Sequence, residues 1–574
     1  MPSMAEKARE AGRLEKCPRP TFETLLEQVG SFGLYQRLMC VMLIGGSTLV
    51  CSLTYYAQLL MMLTPPLSCR GVPADRQTDG GCARLTDSST QSLLDAAGGP
   101  GEPQGNGSTG AGATEDGRCG SWSYDTSVLF DTIASENDWV CRDAWRPFTV
   151  NAIFWAGNIV GSWFWGILSD RLGRRPATLA SFLVYAAGGA LTLVQPSSFA
   201  AILLVRFLVG SAHNTVSHLP YVLVIEYCGS AYRTYPLMLL IASWGLGGLL
   251  LPWIAYAIWN WRILVVVTSA PLLLALALYR YIPESASWLM VNGRGDEARE
   301  VLQFVASVNG RQLDEAVFCE VMVEKREGEP EQPTESLLHV WKHPRLMKNL
   351  ALVTLLWMLS NVCFYGHSQN SGNLGSSVFV SFSLGGGVEV AAALLVPPLL
   401  QRFGRRWPMV TFLVTSGLCG VAYAVVGNAL ATGGRLALAL AGRMLIMGAY
   451  STCLQYGPEL FPTVIRGQSL ALYETMGGIA IFVSPSIVYL RQTMPSDPPS
   501  IFQHQTTPGL PLLIIGALSL VAGSITTLLP ETGGGHLPQT LSDGDLLGAG
   551  QGLFDACRKP RSYTDEDCSG DVKV

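Results

Sequence analysis

Runs of about 20 apolar residues recur along the chain, and each is long enough to cross a hydrocarbon core roughly 30 Å thick. Twelve of them are predicted as helices: 37–62, 147–169, 177–195, 199–225, 235–258, 262–282, 347–366, 376–400, 408–428, 435–457, 468–490 and 509–529. Short polar connections separate most of these runs. Two long polar stretches break the rhythm, one at 63–146 between the first two runs and one at 283–346 between the sixth and seventh. Helical periodicity returns inside the second stretch, around 296–308. With polar tails at 1–36 and 530–574, the chain divides into two six-helix halves, 37–282 and 347–529, joined by a charged loop. The predicted fold is an all-α, twelve-span membrane protein.

Composition agrees with this reading. The 574 residues are 49% hydrophobic and only 14% charged, where a soluble chain carries about 25% charged residues. That excludes a multidomain cytosolic enzyme, and a disordered scaffold would need the opposite balance. Net charge is -5 with the basic residues clustered, which argues against a nucleic-acid partner. The clusters instead set topology, because Arg and Lys accumulate in cytosolic loops. Arg171, Arg174 and Arg175 follow the second run, and Arg402, Arg405 and Arg406 follow the eighth. Arg233 follows the fourth and Arg466 the tenth, and the N-terminal tail holds Lys7, Arg9, Arg13, Lys16 and Arg19. The alternate loops are poor in positive charge, with Arg262, Arg435 and Arg491 as isolated exceptions. Both termini are therefore expected in the cytosol, and no cleavable signal peptide is expected.

Residues 63–146 then lie outside. They hold Cys69, Cys82, Cys119 and Cys141, which read as two disulfides with three possible connectivities, and the glycosylation sequon at Asn106. Cys557 and Cys568, in the C-terminal tail, are expected to be reduced.

The two halves repeat one another. The segment Gly166-Ile-Leu-Ser-Asp170-Arg171-Leu-Gly173-Arg174-Arg175 is echoed by Gln401-Arg402-Phe-Gly404-Arg405-Arg406. Glu226 and Arg233 close the fourth run with the spacing that Glu459 and Arg466 show at the tenth. Pro283-Glu284-Ser285 follows the sixth run as Pro530-Glu531-Thr532 follows the twelfth. A topogenic anchor needs only positive charge. An Asp, and a Glu set ahead of an Arg, suit ion pairs that hold one conformation and release it in another.

Together these elements resemble the major facilitator superfamily of secondary transporters. Within it, Val29-Gly-Ser-Phe32-Gly33-Leu-Tyr35-Gln36-Arg37, Cys119-Gly-Ser-Trp122, Asp138-Trp139-Val140-Cys141, Pro283-Glu-Ser-Ala-Ser-Trp288 and Glu459-Leu-Phe-Pro462-Thr463-Val-Ile-Arg466 look like the organic cation and organic anion transporter family. The resemblance covers about residues 29–532, and the ending after Leu529 is similar to that family's divergent orphan branch. It implies alternating access at the plasma membrane, with Asp170, Arg171, Arg174, Arg175, Glu226, Arg233, Glu284, Glu459 and Arg466 as the conformational lock. It also implies a gradient as driving force, with a proton or another ion as the coupling species. Three departures bear on function. Gln401 stands where Asp170 stands in the first copy, and Gly247-Gly248 replaces the family's Gly-Gln in the fifth span. In the eleventh span the family's cation carriers have an Asp, and its anion carriers an Arg, two positions before a Gly pair. Here Thr475 precedes Gly477-Gly478, which leaves the sign of the substrate open.

Candidate substrate contacts follow from residue type and from the resemblance. Phe364 and Tyr365, with Trp244 and Tyr456, supply aromatic surface for flat organic ions or pack between helices. Glu389 and Glu474 are acids within predicted spans, where ionisation is costly and function is the default expectation. Glu474 neighbours Thr475, and since adjacent helix positions point about 100° apart it faces either the cavity or a neighbouring helix. His213 and His218 lie five apart, where metal ligands on one helical face want three or four, so they read as helix-gluing or cavity-lining groups. The glycine pattern beginning at Gly105 sits in a low-complexity outer segment rather than between a strand and a helix, which argues against a dinucleotide site. No cofactor, metal or catalytic residue is expected. The sequence therefore reads as a secondary transporter of small organic ions, the alternative being a non-transporting receptor that binds a protein through 63–146.

Overall fold

The computed structural model describes residues 22–69, 121–194, 198–229, 232–273, 282–327, 337–374, 377–493, 509–532, 538, 541–548 and 551. Within them, ten helices are long and apolar enough to cross a membrane. Two shorter apolar helices, Trp261–Leu273 and Leu510–Thr526, stand in the sixth and twelfth places. The others are span one (Leu34–Met61), two (Trp145–Leu172), three (Arg174–Leu193), four (Phe199–Ile225), five (Thr234–Ile258), seven (Pro344–Gln369), eight (Val378–Phe403), nine (Arg406–Val426), ten (Thr432–Glu459) and eleven (Thr463–Ile481). Helices suit these apolar runs because a bilayer offers no partner to an unpaired backbone N–H or C=O. The chain is a multi-pass membrane protein.

Two local differences from the sequence pattern have physical causes. Several helices outrun their apolar stretches at the Arg-rich end, span two continuing through Asp170 to Leu172. Span eleven is interrupted at Phe482–Val483 and resumes as Ser484–Thr493. Pro485, in the first turn of the resumed helix, has no N–H to return to the preceding turn.

The Arg-rich end is built twice. Gly173 (φ +107°) turns span two into span three, and a Cβ there would run into the Glu284 carboxylate. Glu284 Oε1 accepts the backbone N–H of Arg174 (2.9 Å), Arg175 (3.2 Å) and Ser285 (2.9 Å). It thereby caps the N-terminus of span three, where backbone donors lack partners and negative charge is favoured. The Arg174 side chain bonds Asp170 (2.9 Å) and Glu226 (3.4 Å). Burial, the largest influence on Glu226, raises its pKa above the usual carboxylate value despite the opposing pull of Ser285 and Arg174.

In the second half, Gly404 (φ +80°) makes the turn and Glu531 accepts the backbone N–H of Arg405 (2.8 Å) and Arg406 (3.0 Å). Arg405 pairs with Glu459 at 2.9 Å. Of the remaining expected lock residues, Arg171 is exposed and joins none of these contacts. Arg233 reaches Glu23 at 3.8 Å, and Arg466 donates to the Phe461 carbonyl at 3.2 Å. The Glu226–Arg233 and Glu459–Arg466 spacings therefore do not make internal pairs. Glu531 and Arg405, by contrast, belong to the network.

A helix at Gly295–Val308 stands where the central-loop periodicity predicts one. Asn309, just beyond it, accepts from the Tyr35 N–H (2.9 Å) and donates to the Val29 carbonyl (2.9 Å), tying the loop to the start of span one. In the long loop after span one, strands Leu67–Cys69 and Trp122–Tyr124 pair antiparallel, and Cys141 is disulfide-bonded. The Cys69 side chain, Cys82, Cys119, Asn106, and the tails at 1–21 and 552–574 lie outside the described residues.

Opposite the Arg-rich end the two halves touch. A Cβ on Gly386 of span eight would collide with the Leu249 backbone nitrogen of span five. The Trp253 indole donates to Ser383 at 2.9 Å, and Phe379 packs on Tyr256 (5.5 Å) and Trp259 (5.7 Å).

Glu284→Ala and Glu531→Ala each remove the acceptor that caps a span, at a cost of about 0.5–2 kcal/mol. Because the sites lie in different halves, their effects on Tm should add; a double variant no less stable than either single one contradicts independent caps. Gly386→Val should prise spans five and eight apart. Labelling of Ser383→Cys by an impermeant thiol reagent from the end opposite the Arg-rich loops is then expected to rise several-fold, and unchanged labelling contradicts the contact.

Candidate functional site

Between the halves lies a cavity of about 500 Å³, lined from spans one, two, four, five, seven, ten and eleven. That volume falls within the range of small-molecule sites, about 300–1,000 Å³. Its lining reaches Gly166 and Ile167 of span two and Ala471 of span eleven, near the Arg-rich end. The opposite end is covered by the contacts between spans five and eight.

Most of the wall is apolar and aromatic. Trp163 and Trp244 come from the first half, and Trp357, Phe364, Tyr365 and Tyr450 from the second. Tyr450 is stacked between Trp357 (5.0 Å) and Phe364 (4.8 Å). Tyr365 stands edge-on to Trp155 at 4.5 Å, across the divide between the halves. Such a wall offers π-faces to a flat or cationic guest.

Glu474 also lines the cavity, beside Thr475, within hydrogen-bonding reach of the Trp357 indole. Of the two orientations open to it in the sequence, it takes the one that faces the cavity. Tyr473 turns the other way and is buried. Among the described residues that line the cavity, Glu474 is the one carboxylate, and neither Lys nor Arg joins it. His218 of span four completes the titratable set with Tyr365 and Tyr450. His213, five residues earlier, glues helices instead, its Nδ1 lying 3.3 Å from Cys51 Sγ and 3.1 Å from the Tyr185 hydroxyl.

The structure therefore brings together Trp244, Phe364, Tyr365, Glu474 and Thr475. It does not bring Tyr456 or Glu389 to the cavity. The Tyr456 hydroxyl is buried and donates to the Pro530 carbonyl. Glu389 is fully buried and paired with Arg443 of span ten, whose Nη2 and Nε lie 2.6 and 3.0 Å from Oε1. The Tyr56 hydroxyl of span one donates to both Glu389 oxygens at 3.2 Å and accepts from Arg443 at 2.8 Å. Arg443 also reaches the Ser371 hydroxyl. An ion pair inside the second half is thus covered by a tyrosine of the first. Neither Arg443 nor Tyr56 is among the candidate residues of the sequence, although a charge inside an apolar run is the signal that marks Arg443.

Comparison with known proteins agrees with this geometry. Residues 144–485 match the Major Facilitator Superfamily. The human protein named Solute carrier family 22 member 13 is 32% identical over 425 residues, covering 74% of this chain and 73% of its own. The Drosophila melanogaster Organic cation transporter protein is 28% identical over 550 residues, covering 92% of this chain and 95% of its own. Among solved structures, the inward-open xylose transporter XylE from E. coli shares the fold at 15% identity and a TM-score of 0.54, over 88% of this chain and 99% of that one. With twelve apolar helices in two halves around a central cavity, the chain belongs to the solute carrier 22 family of the major facilitator superfamily and is a secondary transporter.

Proposed function

We propose that the chain carries small organic cations across the plasma membrane by alternating access, with the cavity as binding site and Glu474 as its charge-recognition group. The observation that carries this reading is Glu474, a carboxylate without a cationic partner in an aromatic cavity that no Lys or Arg lines among the described residues. Glu474 is exposed to the cavity, so a bound cation can pair with its carboxylate while the rings add cation–π attraction. In the family that the chain resembles, cation carriers place their acid where Thr475 stands. Here the charge is displaced by one position and still reaches the cavity. The name of one similar protein, Organic cation transporter protein of Drosophila melanogaster, is consistent with a cationic substrate. On this reading the Arg-rich end faces the cytosol, as do both termini, and residues 63–146 face outside.

Uptake of a quaternary aromatic ammonium into expressing cells tests the site. Glu474→Gln keeps size and hydrogen bonding while removing charge, and is expected to lower kcat/KM for the cation about tenfold or more at equal surface expression. Unchanged uptake at unchanged KM contradicts the role of Glu474. Topology has its own test: Asn106→Gln should abolish a glycosidase-sensitive shift in mobility. A full-length protein insensitive to glycosidase contradicts an extracellular, glycosylated loop.

A further inference from the structure

Span four carries a buried arginine, Arg206, that no part of the transport reading uses. Arg206 lies 20 residues before Glu226, and Arg443 lies 16 before Glu459, so the two occupy related places in the repeated halves, one helical turn apart. Both are buried, at 3% and 1% exposure, but their surroundings differ. Arg443 has the Glu389 carboxylate, the Tyr56 hydroxyl and the Ser371 hydroxyl. Arg206 Nη1 reaches only the Gln58 amide oxygen, at 3.5 Å, and Nη2 has no hydrogen-bond partner. Gln58 donates its own amide N–H to Asn151 at 3.1 Å, and both amides are buried. Among the described residues no carboxylate pairs with Arg206.

The ways a chain can tolerate such a charge are few. A guanidinium does not release its proton in a protein. At 3% exposure it does not snorkel to an interface. Amide dipoles solvate a charge without neutralising it, and an uncompensated charge inside a membrane domain is costly. The nearby Tyr185 phenol adds a dipole but no full negative charge, and a mobile counter-ion supplies what these neutral groups do not. Arg206, Gln58 and Asn151 all sit near the ends of spans four, one and two that lie opposite the Arg-rich loops, and none of them lines the central cavity.

We propose that Arg206, with the Gln58 and Asn151 amides beside it, binds a small monovalent inorganic anion such as chloride. The site lies in the first half, near the end opposite the Arg-rich loops. In the second half Glu389 supplies the negative charge covalently; in the first half the solvent supplies it. The site stands apart from cation recognition at Glu474, and a binding readout tests it without transport.

The experiment is thermal unfolding of the purified full-length protein in detergent, with sodium chloride titrated against sodium gluconate at constant ionic strength. Chloride is expected to raise Tm saturably by roughly 1–3 °C, because an anion that binds only the folded state stabilises it. Arg206→Gln should abolish the shift. Gln58→Glu installs the missing carboxylate, and is expected to raise Tm in gluconate and remove the dependence on chloride. This second variant keeps the test decisive where Arg206→Gln fails to fold. Superimposed chloride and gluconate curves for the natural chain overturn the proposal, as does a Gln58→Glu variant that retains the full shift.

Discussion

A bilayer gives an ionised side chain no water, so each charge within the spans has to find its compensation in the protein or in what the protein binds. That constraint organises the interior of this transporter. Glu389 and Arg443 pair at 2.6 Å, the Ser371 hydroxyl adds a partner to Arg443, and Tyr56 closes over them from the other half. A buried pair of this kind adds little net stability, because desolvation consumes most of the Coulombic gain. Its consequence is directional: removing either partner strands the other. Glu474 shows the opposite solution, a carboxylate left unpaired where a guest can reach it. The same chemical group is structural at one position and available at the other because one has an arginine beside it.

Outside the membrane core the charges have a second task. Glu284 and Glu531 each gather backbone N–H groups at the start of a span, at turns made by Gly173 and Gly404. The carboxylate fills the space a side chain at the glycine would need, so cap and turn depend on each other. Arg174 and Arg405 then link span three to four and span nine to ten through Glu226 and Glu459. These contacts fix helices within a half. The loop motif therefore stiffens a body, and the movement it permits is that of one stiff body against the other.

Much of this was legible in the sequence, for reasons particular to each feature. The spans were readable because twenty apolar residues in a row have few alternatives to a membrane helix. The repeated Gly-Arg-Arg elements were readable because a tight turn and its charges are local. Arg443 and Arg206 were not singled out, since one arginine barely changes the hydropathy of Leu-Val-Arg206-Phe-Leu or Ala-Gly-Arg443-Met-Leu, and its partners come from other helices. The facing of Glu474 depended on the rotation of span eleven, which the packing of Tyr473 settles and periodicity does not. Tyr456 and Arg171 carried the right chemistry for their expected roles, but their placement came from tertiary packing against Pro530 and from exposure at a helix end.

The division between contacts within and between the halves has a mechanical reading. Among the described residues, the ion pairs that hold the spans in register, Arg174 with Asp170 and Glu226, Arg405 with Glu459, and Arg443 with Glu389, each lie inside one half. Between the halves, at the closed end, the contacts are a tyrosine hydroxyl on an existing ion pair, an indole on a serine, aromatic edges, and glycine backbone against backbone. Withdrawing Tyr56 leaves Glu389 and Arg443 still joined, so opening this end exposes a neutral pair rather than two separated charges. Each inter-half contact is modest, on the order of 1 kcal/mol for a neutral hydrogen bond or an aromatic pair and roughly 1.5–3 kcal/mol for the Tyr56 bonds to charged groups, and all can be broken together without unfolding either half. A carrier that must visit both states is better served by many such contacts than by one strong bridge, because a bridge worth several kcal/mol would trap it on one side.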